Sequence, residues 1–375
     1  TQTVASVATT QEAPTINTVQ VTRTAAQPVS LIITTLSSPS GETGNIINFV
    51  TNDVAGGGVN GTDTKIVLGN QTVYRFSARA YFNGSNFAVY EGSGLGGYVR
   101  GINYGTDAFT ATSAGGTSFV ATNAQEITGS ITAQPTVILG SGDLTTATPS
   151  GSLKIVGASN VTMVAGNTLT INGRDNNGVS GLLKTGGGTS VLSGGTALTL
   201  GGVQAYFRVD RADDVLTIAM PVNFAGNARI EKSGAGHLIL SNGNYVLGWA
   251  FFVTDGTFEV GGASTVSPRL RLGQGAVFRY NSSASSTMGA IDGLGRIDVV
   301  GTGAFILSGA NTYTGGTTVA SGGTLHLGAG GTTGSVVGAI TNEGTVIFNR
   351  TNILTHTGAI TGTGAVTQNG TGTVV

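Results

Sequence analysis

Residues 301–328 read GTGAFILSGANTYTGGTTVASGGTLHLG. Short runs in which apolar and polar residues alternate, such as Thr324–Leu327, are separated here by Gly-rich links. Alternation over about four to eight residues between glycines is typical of half-buried β-strands. An earlier copy, KSGAGHLILSNGNYVLGWAFFVTDGTFEVG, occupies residues 232–261. The sequence therefore predicts a repeated β-structural unit.

The predicted strands recur at a nearly constant distance along the chain. Leu238, Phe258, Val277 and Ile297 begin successive equivalent runs. Such a regular recurrence of strands is typical of a solenoid, whose coils stack because one coil cannot bury its own apolar face. We therefore expect an all-β solenoid with roughly 20 residues per coil. Gly would occupy its corners, and Thr, Ser and Asn its outward positions.

The composition excludes several classes of function. The 375 residues include 63 Gly and no Cys, 9% are charged, and the net charge is −1. Without Cys there is no disulfide framework and no zinc ribbon. The balanced charge gives no general attraction for nucleic acid, and the longest apolar run, near residues 246–253, is far shorter than a membrane helix. We expect no cofactor, no nucleic-acid partner and no membrane insertion of this segment.

The two copies resemble the autotransporter-associated β-strand repeat, also called the passenger-associated transport repeat. Weaker copies begin at Lys184 and Gly370, and the last one breaks off at Val375, so we expect the sequence to be part of a longer repeat array. The resemblance implies a right-handed parallel β-helix that is exported to the cell surface or secreted. It also implies a structural or adhesive role, and it carries over no catalytic residues.

The N-terminal part of the chain has a different composition. Nine of the 24 aromatic residues lie within residues 73–109. Because the open end of a solenoid needs covering, we interpret residues 1–115 as an N-terminal β-region or cap with an aromatic-rich insertion, followed by solenoid repeats over residues 116–375. The alternative is a dedicated binding face. Its candidate contact residues are Tyr81, Tyr90, Tyr98 and Arg100.

The densest charge cluster comprises Asp210, Arg211, Asp213 and Asp214. A β-helical polysaccharide lyase needs carboxylates for Ca²⁺ and a basic group that takes a proton, and this cluster contains both residue types. Apolar strand residues flank the cluster on both sides, however. The preferred interpretation is therefore a solvent-exposed loop at a corner of the coil.

Another candidate surface contains Trp249 and Phe251, which share one face of a predicted strand. Facing outward, the two rings would form a stacking platform for a sugar or a neighbouring solenoid. Facing inward, they would belong to the core, which is the preferred interpretation because aromatic side chains are usually buried.

Three functions remain open at this point. The first is a non-enzymatic extracellular stalk or adhesin, which associates with copies of itself into fibres, aggregates or matrix, or binds a host or cell-surface glycan or protein. The second is a β-helix polysaccharide lyase or hydrolase. The third is a passive spacer and folding segment of a longer autotransporter passenger. Repetition without a recognisable set of catalytic residues favours the first.

Overall fold

The computed structural model describes most of the chain. The described residues are 1–8, 15–37, 45–70, 79–108, 110–116, 124–133, 137–139, 151–173, 179–202, 204–224, 229–245, 251–263, 265–266 and 269–375. Within these ranges the structure is β throughout, apart from one short 3-10 turn at Gly94–Gly96. No helix in the described ranges is long and apolar enough to cross a membrane.

From Thr110 onward the chain winds through parallel sheets that form the three faces of a β-helix. The first face contains nine strands. In chain order they are β9 (Thr110–Ser113), β10 (Ala124–Ile127), β13 (Ser152–Val156), β16 (Val179–Thr185), β19 (Gln204–Val209), β22 (Arg229–Ser233), β25 (Phe251–Val253), β28 (Leu270–Leu272) and β31 (Ile291–Gly293).

The second face is the longest and contains eleven strands. They are β11 (Ile131–Ala133), β14 (Val161–Met163), β17 (Gly188–Gly194), β20 (Asp214–Ile218), β23 (His237–Leu240), β26 (Thr257–Gly262), β29 (Val277–Ser282), β32 (Arg296–Val299), β34 (Thr317–Val319), β36 (Ile340–Asn342) and β38 (Ile360–Thr361).

The third face is divided into consecutive sheets of four, two and five strands. They are β12 (Val137–Leu139), β15 (Thr168–Ile171), β18 (Ala197–Leu200), β21 (Val222–Phe224), β24 (Asn244–Tyr245), β27 (Thr265–Val266), β30 (Ser286–Met288), β33 (Ala304–Leu307), β35 (Thr324–Leu327), β37 (Thr345–Phe348) and β39 (Ala365–Gln368). The predicted parallel β-helix is thereby confirmed.

The length of the coil changes along the chain. Glu259 pairs with Arg279, a step of one predicted period. Val161, in contrast, pairs with Leu192, so the step between these two coils is about one and a half predicted periods. The period read from the sequence therefore describes the later coils, and the earlier coils are longer because more residues connect their strands. After β31 the first face continues without strands, and isolated bridges such as Ala310 with Ser335 hold it to the next coil.

One continuous hydrophobic core fills the β-helix from Ile127 to Leu354. Alternation places every second residue inside, so that β35 follows a strict pattern of half-buried and buried residues. Aromatic rings from successive coils stack along the axis. The ring centroids of Phe258 and Phe278 are 5.7 Å apart, and those of Tyr280 and Phe305 are 4.7 Å apart. Each coil therefore buries its neighbour's apolar side chains.

The two clear copies of the repeat lie on different faces of the β-helix. Strand β23 in the first copy corresponds to β33 in the second, and β26 corresponds to β35. The first member of each pair belongs to the second face, whereas its equivalent belongs to the third face. The motif therefore specifies a Gly-rich corner followed by an alternating strand, and it does not specify one side of the helix.

The N-terminal strands also pair in parallel before the chain turns back in a hairpin. They are β1 (Gln2–Ala8), β2 (Thr15–Arg23), β3 (Val29–Ser37), β4 (Asn45–Asp53), β5 (Thr64–Leu68), β6 (Ala80–Phe82), β7 (Asn86–Glu91) and β8 (Tyr98–Gly101). The pairing of β6, β7 and β8 is antiparallel. A separate buried cluster joins Tyr81 and Phe87 of this hairpin to Leu183 and Tyr206 on the outward side of the first face.

Close packing of consecutive coils leaves no room for a side chain at some corner glycines. A Cβ atom on Gly303 would lie 1.8 Å from the carbonyl oxygen of Ala284 in the preceding coil, whereas a Cβ atom on Gly331 would contact nothing within 4 Å. We expect Gly303→Ala to lower the free energy of unfolding by about 2–3 kcal/mol. Gly331→Ala is the matched control and should unfold like the wild type in urea. Equal stability of the two variants would contradict this packing.

Candidate functional site

The cluster at Asp210–Asp214 contributes to three ion pairs that differ in burial. The first is fully buried, because Lys184 and Asp214 both have side chains that are 0% exposed. Lys184 Nζ donates to Asp214 Oδ1 over 2.6 Å and to the carbonyl oxygens of Thr185 and Gly187. The interpretation of the whole cluster as a solvent-exposed loop is therefore wrong for Asp214, which begins strand β20 inside the helix and neutralises a buried lysine.

The second pair fastens the N-terminal hairpin to the β-helix. Arg208 Nη2 lies 2.6 Å from Asp210 Oδ1, and Arg208 Nε donates to the carbonyl oxygen of Gly84 over 2.6 Å. The guanidinium also lies over the ring of Tyr81, 5.0 Å from its centroid. Asp210 therefore orients the arginine that connects the two parts of the chain.

The third pair, between Arg211 and Asp213, is exposed to solvent. Its Nε–Oδ1 distance is 2.8 Å. Each of the three aspartates of the cluster therefore pairs with a different cation. Among the described residues, no group of three or more His, Asp or Glu side chains is arranged to hold a metal ion.

The aromatic candidates serve mainly the interior. Tyr81, Tyr90 and Phe251 are each 0% exposed, so their side chains offer no surface to a partner. The Tyr90 hydroxyl accepts a hydrogen bond from the backbone of Leu68 and donates one to the carbonyl oxygen of Gly94. Their burial agrees with the preferred interpretation as core residues and not with the alternative of contact residues. Tyr81 and Tyr90 belong to the N-terminal clusters, and Phe251 belongs to the core of the β-helix.

The remaining candidates differ in their surroundings. Tyr98 is partly exposed. Arg100 is buried, with 8% of its surface exposed. Its guanidinium pairs with Glu91 and with Asp107, and Arg100 Nη2 lies 2.7 Å from Asp107 Oδ1. Arg100 therefore stabilises the hairpin internally. Trp249 lies outside the described residues.

A buried carboxyl group lies near the junction between hairpin and β-helix. Glu231 on β22 is 1% exposed, and its Oε1 accepts a hydrogen bond from Thr254 over 2.6 Å. Burial raises the pKa of Glu231 to about 7, against the opposing effects of Thr254, Arg229 and Arg79. This carboxyl group therefore holds its proton to a higher pH than an exposed glutamate does.

Sequence reasoning missed a ladder of charges that crosses the second face. His237 Nε2 lies 3.0 Å from Glu259 Oε2 in the next coil. Arg279 bridges two carboxylates, because its Nη1 lies 3.9 Å from Glu259 Oε2 and its Nη2 lies 3.6 Å from Asp298 Oδ2. Arg296 Nε lies 3.1 Å from Asp298 Oδ1. Although burial raises the pKa of Glu259, its close contact with His237, the hydrogen bond from Asn281 and the nearby charge of Arg279 lower it below its usual value.

A smaller group of the same kind lies on the first face. Asp292 forms ion pairs with two arginines: its Oδ1 lies 2.6 Å from Arg271 Nε, and its Oδ2 lies 3.5 Å from Arg269 Nη2. We call Arg269, Arg271, Arg279 and Arg296 together the arginine patch. Its members are dispersed in sequence, so no local charge cluster reveals them. The coil period would have done so, because Glu259, Arg279 and Asp298 follow one another at that period and therefore stack directly.

Comparison with known protein families identifies the repeat. The family model described as Passenger-associated-transport-repeat matches residues 230–260 and 299–327. This segment carries the passenger-associated transport repeat. The resemblance inferred from the sequence is thereby confirmed at both clear copies, and it indicates an autotransporter passenger segment with an extracellular or cell-surface location. Neither the curated proteins nor the solved structures contain a match to the chain.

The buried Lys184–Asp214 pair gives a direct prediction for stability. Lys184→Met leaves the carboxylate of Asp214 buried without its cation, so we expect the free energy of unfolding to fall by about 3–5 kcal/mol. Lys184→Met/Asp214→Leu should recover part of that loss. Arg211→Gln disrupts only an exposed pair and should unfold in urea like the wild type. A Lys184→Met variant as stable as the wild type would refute the structural role.

Glu231 predicts a pH dependence of stability. Below about pH 4.5 the carboxyl group is protonated in both folded and unfolded chains. As pH rises towards about 7, the unfolded chain loses this proton while the folded chain keeps it. The unfolded state is thereby favoured, and the free energy of unfolding should fall by about 3 kcal/mol across this range and then level off.

The comparison of variants isolates this contribution. Glu231→Gln should lack the fall in urea unfolding measured between about pH 4.5 and 7. Glu343→Gln removes an exposed carboxyl group and should retain the wild-type profile. Parallel profiles for Glu231→Gln and the wild type would show that this carboxyl group does not titrate with folding.

Proposed function

We propose that this chain is a rigid, non-enzymatic segment of an extracellular passenger, and that it associates side by side with copies of itself. The observation that carries the proposal is the near absence of charge in the last coils. Residues 299–375 contain only two charged side chains, Glu343 and Arg350. Because like charges on neighbouring rods repel each other, this part of the surface meets little electrostatic resistance to contact.

The outward side chains of these coils form regular columns. Thr318, Thr341 and Thr361 stack in register on the second face, and all three are exposed. Threonine presents a methyl group and a hydroxyl group, so an equivalent column on another copy can pack against it and form hydrogen bonds with it. Val337 and Ile353 add exposed apolar side chains, at 50% and 67% exposure.

The alternative of a lyase or hydrolase has less support. Such an enzyme needs two or more carboxylates that converge with a basic residue on one groove. Asp210, Asp213 and Asp214 instead face separate cations. A passive spacer requires only the coil stack, and it differs from our proposal in remaining monomeric.

Sedimentation velocity over a range of protein concentrations, together with electron microscopy, tests the proposal. The wild type should form dimers or laterally associated fibres. Thr318→Lys/Thr341→Lys places two like charges in the column, and we expect it to raise the concentration needed for association by about tenfold or more. Thr217→Lys is the control for an added lysine outside the uncharged coils, because the pairing register places Thr217 in the same outward column several coils earlier.

The possible results separate the alternatives. A wild type that stays monomeric at every concentration would favour the passive spacer. Equal association by the double variant and the wild type would show that the threonine column is not the contact surface. Circular dichroism of each variant checks that the added lysines leave the fold unchanged.

A further inference from the structure

The ion pairs around the arginine patch are unequal in their exposure. Arg269 is 57% exposed and its partner Asp292 24%, and Arg296 is 52% exposed above an Asp298 that is 10% exposed. Arg279 is 37% exposed, whereas Glu259 is 7% exposed. In these three pairs the guanidinium is more exposed than the carboxylate, whereas Arg271 and Asp292 are almost equally exposed, at 27% and 24%. The surface therefore presents positive charge although the chain as a whole is close to neutral.

The pair between Arg211 and Asp213 is balanced instead of unequal. Its two side chains are 61% and 58% exposed, so both charges reach solvent and offset each other at the surface. An approaching anion would meet attraction and repulsion together there. At the arginine patch it would meet guanidinium groups first, with the carboxylates farther away and partly covered.

The guanidinium groups keep donors for a further acceptor. Arg296 uses Nε and Nη2 for Asp298, and Arg269 uses Nη2 for Asp292. Each guanidinium carries five N–H donors in a fixed plane, which suits carboxylate and sulfate groups. Sharing of one aspartate by two arginines, as at Asp292, leaves the local balance positive on the first face.

The patch extends around one corner of the β-helix and over two successive coils. Strand β31 ends at Gly293 on the first face and β32 begins at Arg296 on the second. Leu294, 58% exposed, lies at this corner between Asp292 and Arg296. An exposed aliphatic side chain is thus flanked by guanidinium groups on both faces.

We propose that the arginine patch and Leu294 bind a linear acidic polysaccharide. Its carboxylate or sulfate groups would contact the guanidinium groups, and the apolar C–H face of a sugar ring would pack on Leu294. Neighbouring coils are about 4.8 Å apart, so an extended polyanion can contact both coils at once and can also reach around the corner to the second face. Single-stranded nucleic acids are usually bound by aromatic stacking platforms, and the patch contains no aromatic side chain. The proposal uses the extracellular location but does not depend on self-association.

Binding of the intact 375-residue chain to defined polymers tests the proposal. The probes are polygalacturonate, which carries carboxylates, and heparin, which also carries sulfates, with neutral dextran and duplex DNA for comparison. At about 20 mM NaCl we expect binding to at least one acidic polysaccharide, weakening steeply as salt screens the charges. A preference for one of the two polymers identifies the anionic group that the patch prefers and supports the proposal.

The decisive comparison uses two sets of variants. Arg269→Gln/Arg296→Gln should bind the acidic polymer about tenfold more weakly than the wild type, because two exposed guanidinium groups are lost. Arg211→Gln removes an equally exposed arginine from the balanced pair and should bind within about twofold of the wild type. Circular dichroism and sedimentation velocity verify that folding and association are unchanged.

Four results would overturn the proposal. They are no binding of the wild type to either acidic polymer at low salt, equal binding of dextran, tighter binding of duplex DNA than of both acidic polysaccharides, and equal losses in the double variant and in Arg211→Gln. A monomeric protein that still binds through the patch would contradict self-association while leaving this inference intact.

Discussion

Parallel, in-register hydrogen bonding between successive coils is the constraint on which the rest of the structure depends. Because the paired strands keep one register, a residue and its counterpart one coil later occupy the same position on the same face. Inside the helix this rule stacks Phe258 on Phe278. Outside, it brings Glu259, Arg279 and Asp298 together, although they are far apart in sequence. Core and surface therefore both consist of columns of stacked side chains. Whether a column faces the core or the solvent decides whether its side chains are apolar or polar.

Local alternation was sufficient to predict most of the architecture. Thr324–Leu327 alternates in sequence and alternates in burial, because the strand has a solvent side and a core side. The period located the later coils, where little chain separates successive strands. It could not give the coil length around Val161, since the connecting residues there carry no periodic signal. The change of face between the two repeat copies also depends on where earlier coils end, which no local pattern contains.

The candidate site was harder to predict, for different physical reasons at different residues. Asp214 looks like part of an exposed charged loop, and only the position of Lys184 in the preceding coil explains its burial. The contact between Arg208 and Gly84 joins residues 124 positions apart and depends on how the hairpin rests on the first face. Part of the arginine patch, in contrast, was accessible from the sequence, because Glu259, Arg279 and Asp298 follow one another at the coil period.

The change of face between the two repeat copies has a consequence for how the surface is displayed. A β-helix with three faces presents equivalent residues of the two copies in directions that differ by roughly a third of a turn. A flat partner lying along the rod can therefore touch one copy's equivalent strand but not the other's. Repetition in this sequence consequently does not multiply one binding surface along a single line. It distributes related surfaces around the axis, so that a rod can be approached from several sides by different neighbours.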